Sequence, residues 1–94
     1  MAASGDIRYE VVLFSGHVQG VGFRYTALRV AQGFEVAGFV QNLADGRVRV
    51  EVEGAPAEID AFVAAVQEHM EGYVRKTERQ AASRPPQFHG FTIR

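Results

Sequence analysis

The chain has 94 residues and a mass of 10.3 kDa, room for one hydrophobic core and not for two. Hydrophobic residues make up 47% and charged residues 22%, the composition of a folded domain. Ten Lys and Arg against eleven Asp and Glu leave a net charge of -1, without the basic surplus that nucleic acid attracts. There is no cysteine, which excludes disulfides, thiolate metal sites, iron–sulfur clusters and a cysteine nucleophile.

Residues 1–7 begin small and polar, without the basic start and apolar run of a signal peptide, and are expected to fray. One domain is expected over residues 8–94. Arg8 to Phe14 is β-branched and aromatic-rich and stops at Ser15-Gly16, which predicts a buried strand. Gly16, Gly20 and Gly22 crowd the next seven positions and predict a tight loop. Phe23, Ala27, Val30, Ala31 and Phe34 then recur at spacings of three and four, the pattern of an amphipathic helix over about Phe23 to Gln32. Val36 to Leu43 reads as a second strand. Val48, Val50 and Val52 alternate with charged residues as a third, half-buried one. Asp45-Gly46 between them predicts a hairpin.

Pro56 suits a first helical position and Glu58 the positive end of a helix dipole. Ile59, Phe62, Val63, Val66 and Met70 form one stripe of that second helix, with Gly72 as its C-cap. Tyr73 to Gln80 is charged and predicts an edge strand, with Arg75, Lys76 and Arg79 as a solvated border that discourages strand addition. Ser83 to Gln87, with two prolines, reads as a loop. Phe88 to Arg94 closes the chain as a short strand with Phe91 and Ile93 on one face. The order β-α-β-β-α-β-β, with one apolar stripe per helix, implies an α+β sandwich. Both helices then lie on one face of an antiparallel sheet, the ferredoxin-like plan. No apolar stretch approaches the ~20 residues that span a bilayer, so neither membrane nor nucleic acid is an expected partner, and the cytoplasm is the expected location.

The segment with chemical content is Gly16-His17-Val18-Gln19-Gly20-Val21-Gly22-Phe23-Arg24, a strand end running into a helix start. A helix N-terminus offers unpaired N–H groups and partial positive charge, and glycines let those groups turn inward. Arg24 opposes the dipole of its own helix, which makes sense if a bound dianion lies between the guanidinium and the amides of Gln19, Gly20, Val21, Gly22 and Phe23. The bland alternative is a glycine-rich connection followed by a solvent-facing arginine. A nucleotide-hydrolase loop is excluded, because no Lys-Ser or Lys-Thr follows the glycines. A dinucleotide loop is excluded too, because Tyr25 stands where its third glycine belongs.

Asn42 ends an otherwise apolar strand and has an amide able to hold a water, although turn chemistry is the commoner reason for such an Asn. His17 adjoins the loop and reads as an exposed loop residue. His69 and His89 have no ligand-like spacing, so no metal is expected. Asp45 is expected to set the hairpin, and Phe23 and Phe39 to lie in the core.

Taken together, Gly16-x-Val-Gln-Gly-Val-Gly-Phe-Arg24 and Gly38-x-Val-x-Asn42-x-x-Asp-Gly-x-Val48, with Glu53-Gly54 in register and the Gly90-Phe91-x-Ile93 ending, resemble the acylphosphatase family signature. The resemblance implies hydrolysis of acyl phosphates to a carboxylate and inorganic phosphate. It implies phosphate binding by Arg24 and the loop amides, and a water oriented by Asn42. No metal or cofactor is implied; phosphate or sulfate is expected as an inhibitory anion, and the protein is expected to be a monomer. The sequence departs from the family at Glu35, where relatives often carry glycine, and at Gly72-Tyr73, where they often have Gly-Pro. The competing reading is a non-catalytic module of the same fold that binds an anion or a partner.

Overall fold

The computed structural model describes residues 5–94. The expected fraying of the N-terminus falls largely on residues 1–4, outside the described residues. Gly5 and Asp6 lead directly into β1 (Ile7–Gly16), which is followed by α1 (Phe23–Ala31), β2 (Val36–Asn42), β3 (Val48–Gly54), α2 (Pro56–His69), β4 (Val74–Arg84) and β5 (Phe91–Ile93). The sheet order is β4-β1-β3-β2-β5, with β3 central and β1 paired antiparallel to both β3 and β4.

Alternation sorts the side chains. Val12 and Phe14 of β1, Val48, Val50 and Val52 of β3 and Val40 of β2 face the helices and are fully buried. Ile59, Phe62, Val63 and Val66 of α2 and Phe23, Ala27 and Val30 of α1 close the same core. Phe23 packs on Phe14 at 5.0 Å between ring centroids, which fixes the start of α1 against β1. No helix is long and apolar enough to cross a membrane among the described residues.

Four expectations are corrected. The sheet is mixed, because β5 pairs parallel to β2, with Gly38 opposite Phe91. The segment 85–90 crosses the end of the sheet where β2 begins, and β5 can then only run alongside β2 in the same direction. Ser83 and Arg84, expected in a loop, are the last residues of β4, paired with Arg8 and Ile7. The last strand is confined to Phe91–Ile93.

The crossing segment is held by Glu53, whose carboxylate accepts from the N–H groups of Gln87 (2.9 Å) and Phe88 (2.6 Å). Charge alternation alone would put Glu53 in water, yet it is 2% exposed, because the segment 85–90 lies over it. On this same face Phe88 meets Phe39, and the Arg84 guanidinium lies 3.6 Å from the Tyr9 ring centroid. The Tyr9 hydroxyl donates to Glu51 Oε1 (2.6 Å). Burial first, then that hydrogen bond, push its pKa above the usual tyrosine range.

Arg79 is the fourth correction. It does not border solvent as a spare charge: its Nε and Nη2 donate to buried Glu10 (2.7 and 2.9 Å), and Nη2 also donates to Asp60 on α2 (2.7 Å). One guanidinium thus joins β4, β1 and α2. The hydrogen bonds to Glu10 hold it protonated well above the ordinary arginine range, against the opposing effect of burial.

Candidate active site

The loop between β1 and α1 leaves the helix start open. Gly20 and Gly22 both have φ of 77°, and nothing lies within 4 Å of where a Cβ on either would stand. Glycine is needed here for the backbone angle and not for space. Gly22 is the N-cap of α1. No side chain caps that helix and its first turn holds no acid. Thr26 N–H donates to the Gly22 carbonyl (3.0 Å), so the amides ahead of it have no partner within the helix. The helix start is therefore an unfilled set of donors with partial positive charge.

A cavity of about 270 Å³ sits at this point, lined by Val18, Gly20, Gly22, Phe23, Arg24, Tyr25, Asn42 and Ile93. Of the residues singled out from sequence, Gly20, Gly22, Phe23, Arg24 and Asn42 are brought to one place. Arg24 is in the first turn of α1, and its Nη1 donates to the main-chain oxygen of Arg94 (3.3 Å), which keeps the guanidinium over the cavity mouth. Arg94 is in turn fixed by its own N–H donating to the Val40 carbonyl (2.8 Å). Asn42 lies opposite Val48 in the ladder, on the helix-facing side of β2 and two residues past Val40. That register directs its amide toward the loop.

Gln19 and Val21 do not line the cavity. Val21 packs against the core. Gln19 Nε2 donates to the carbonyls of Leu43 (2.8 Å) and Arg47 (3.0 Å), tying the glycine loop to the hairpin that follows Asn42. That hairpin is itself closed by Leu43 N–H to the Arg47 carbonyl (2.8 Å) and by Asp45, which accepts from the Arg47 N–H and Nε. The Arg47 backbone N–H, first, and the guanidinium lower the Asp45 pKa. Asp45 therefore shapes the turn and does not line the cavity.

His17 is exposed and its N–H donates to the Tyr73 carbonyl (2.9 Å), away from the cavity. Phe39 is buried on the opposite face of the sheet, with the Arg94 guanidinium 3.9 Å from its ring centroid. Among the described residues no three His, Asp or Glu side chains are grouped to ligate a metal. Sequence reasoning missed Val18, Tyr25 and Ile93 as cavity walls. For Ile93 the signal was present: it alternates with Phe91 on one face of a strand that pairs with the one carrying Asn42.

A sequence model of the acylphosphatase family matches residues 10–93. The acylphosphatase of Lacticaseibacillus paracasei is 33% identical over 84 residues, 87% of this chain and 90% of that protein. The acylphosphatase of Archaeoglobus fulgidus is 47% identical over 55 residues, 58% of this chain and 62% of that protein. The crystal structure of acylphosphatase from Bacillus subtilis superposes with a TM-score of 0.82 at 33% identity, covering 93% of this chain and 97% of that one.

Proposed function

The chain belongs to the acylphosphatase family, and we propose that it hydrolyses acyl phosphates with Arg24 and the loop amides holding the phosphoryl group and Asn42 orienting the water. The observation that carries this reading is the cavity at the uncapped start of α1, with Arg24 and Asn42 both in its wall. A phosphoryl group seated there takes hydrogen bonds from the loop amides at Gly20, Gly22 and Phe23, which line the cavity, and a forked contact from Arg24. Donors already aimed at the phosphoryl oxygens need not reorganise as charge redistributes over them.

Asn42 accepts a hydrogen bond from a water and leaves a lone pair of that water directed at phosphorus. The water oxygen bonds to phosphorus, the bond from phosphorus to the acyl oxygen breaks, and its electron pair leaves on the carboxylate. Protons of the water pass to phosphate and solvent. A carboxylate is stable as it departs, so no strong general acid is required, and none lines the cavity. Inorganic phosphate and sulfate inhibit by occupying the same cradle. We take the protein to act as a monomer in the cytoplasm, without a cofactor.

The test is turnover of benzoyl phosphate by the purified protein, with and without excess chelator, beside Arg24→Ala. Removing one aimed donor of this kind costs about 2.7–4 kcal/mol, a loss of 10²–10³-fold. Chelator-insensitive turnover that falls by at least that factor in Arg24→Ala is expected. A folded protein with no turnover would favour a binding module instead.

A further inference from the structure

A second cavity, of about 290 Å³, is lined by Tyr25, Thr26, Arg29, Val30 and His69. It lies where the flank of α1 meets the end of α2, and it shares one wall with the phosphate cavity: Tyr25 lines both. We infer that this second cavity is the acyl subsite, and that it favours acyl phosphates whose acyl group carries a further carboxylate. The inference rests on the hydrolysis reading above, since it assumes that the phosphoryl group sits at Arg24.

Charge is the first argument. None of the five lining residues is acidic, and two can be cationic. The ion pairs among the described residues use Arg8, Arg47, Arg49, Lys76, Arg79 and Arg84, and Arg29 belongs to none of them. Arg29 is in the last turn of α1 and His69 in the last turn of α2. A helix end carries only about half a negative charge, so the full charge of Arg29 leaves a positive surplus.

Geometry is the second. Tyr25 is 60% exposed, a large ring kept at the surface between the two cavities. The Arg29 guanidinium carbon lies 5.9 Å from its ring centroid, one helical turn further on. The ring offers a flat wall for an acyl chain, and the guanidinium stands beyond it. From Arg24 to Arg29 the helix advances about 7.5 Å. In an aromatic acyl phosphate with a meta carboxylate, bond lengths place that carboxylate roughly 7 Å from phosphorus. An acetyl group is too short to reach.

The experiment compares kcat/KM for 3-carboxybenzoyl phosphate and for benzoyl phosphate, in the wild type, Arg29→Ala and Arg29→Lys. The ratio is the readout, because a folding defect lowers both values together and leaves the ratio alone. A wild-type ratio of about 10 is expected, falling to about 1 in Arg29→Ala and partly restored in Arg29→Lys. A wild-type ratio at or below 1, or a ratio unchanged in Arg29→Ala, overturns the subsite. No turnover of either substrate by the wild type overturns the hydrolysis reading, and the subsite with it.

Discussion

Replacing Gln19 with Ala removes the two hydrogen bonds that bind the glycine loop to the hairpin behind Asn42, at 2.8 Å to Leu43 and 3.0 Å to Arg47. Each neutral bond contributes about 1 kcal/mol net, so the variant loses about 2 kcal/mol of stability. For a domain of this size that lowers Tm by roughly 10 °C. The larger effect is on alignment. Arg24 belongs to the helix that follows the loop and Asn42 to the strand that precedes the hairpin, so the Gln19 amide helps set the spacing between them. A misplacement of about 1 Å costs on the order of 10²-fold in rate. Thermal unfolding and benzoyl phosphate kinetics, with inorganic phosphate as competitive inhibitor, check both figures: kcat falls much more than phosphate affinity. Gln19→Glu sharpens the test, because both acceptors are carbonyls and a carboxylate has nothing to donate to them. It behaves as badly as Ala. Wild-type kcat and Tm in Gln19→Ala, or rescue by Glu, would refute the reasoning.

Arg79→Met leaves the buried Glu10 carboxylate with only Arg8 at 3.7 Å, and stability falls by about 3–5 kcal/mol in urea unfolding. Adding Glu10→Met to that variant recovers most of the loss, and equal stability of single and double variants would contradict the buried pair. Gly22→Ala forces an alanine to φ of 77° and costs about 1–2 kcal/mol through the backbone alone, since the Cβ meets nothing within 4 Å. Phosphate inhibition weakens with it, as the loop amides turn aside; unchanged stability and inhibition would mean that the left-handed angle is not required.

Much of this architecture is written in local pattern. The spacing of Phe23, Ala27 and Val30 gives α1 to within a residue, and alternation of Val48, Val50 and Val52 gives β3 and its buried face. Asp45-Gly46 marks the hairpin, and the uncapped glycine-rich entry to α1 marks the place where Arg24 and Asn42 meet at one cavity. What escaped depends on contacts distant in sequence. Arg79 lies 69 residues from Glu10 and 19 from Asp60, so its neighbourhood of Lys and Glu reads as solvent-facing. β4 runs on to Arg84 because β1 offers a ladder that long, which weak local propensity does not reveal. Glu53 looks like a surface charge until the segment 85–90 folds over it. The direction of β5 follows from where that segment delivers the chain. Gln19 stands in a loop singled out for its backbone, and its side-chain task becomes visible only when the hairpin arrives beside it.

Asn42→Ala tests the division of labour in the site most directly. The measurement is kcat for benzoyl phosphate alongside the inhibition constant of inorganic phosphate, on the wild type and the variant. With Arg24 and the loop amides intact, phosphate binds within about threefold of wild type, while kcat drops by about 10²–10³-fold for want of an oriented water. Equal loss of phosphate binding and turnover would contradict the account and make Asn42 a structural residue of the hairpin.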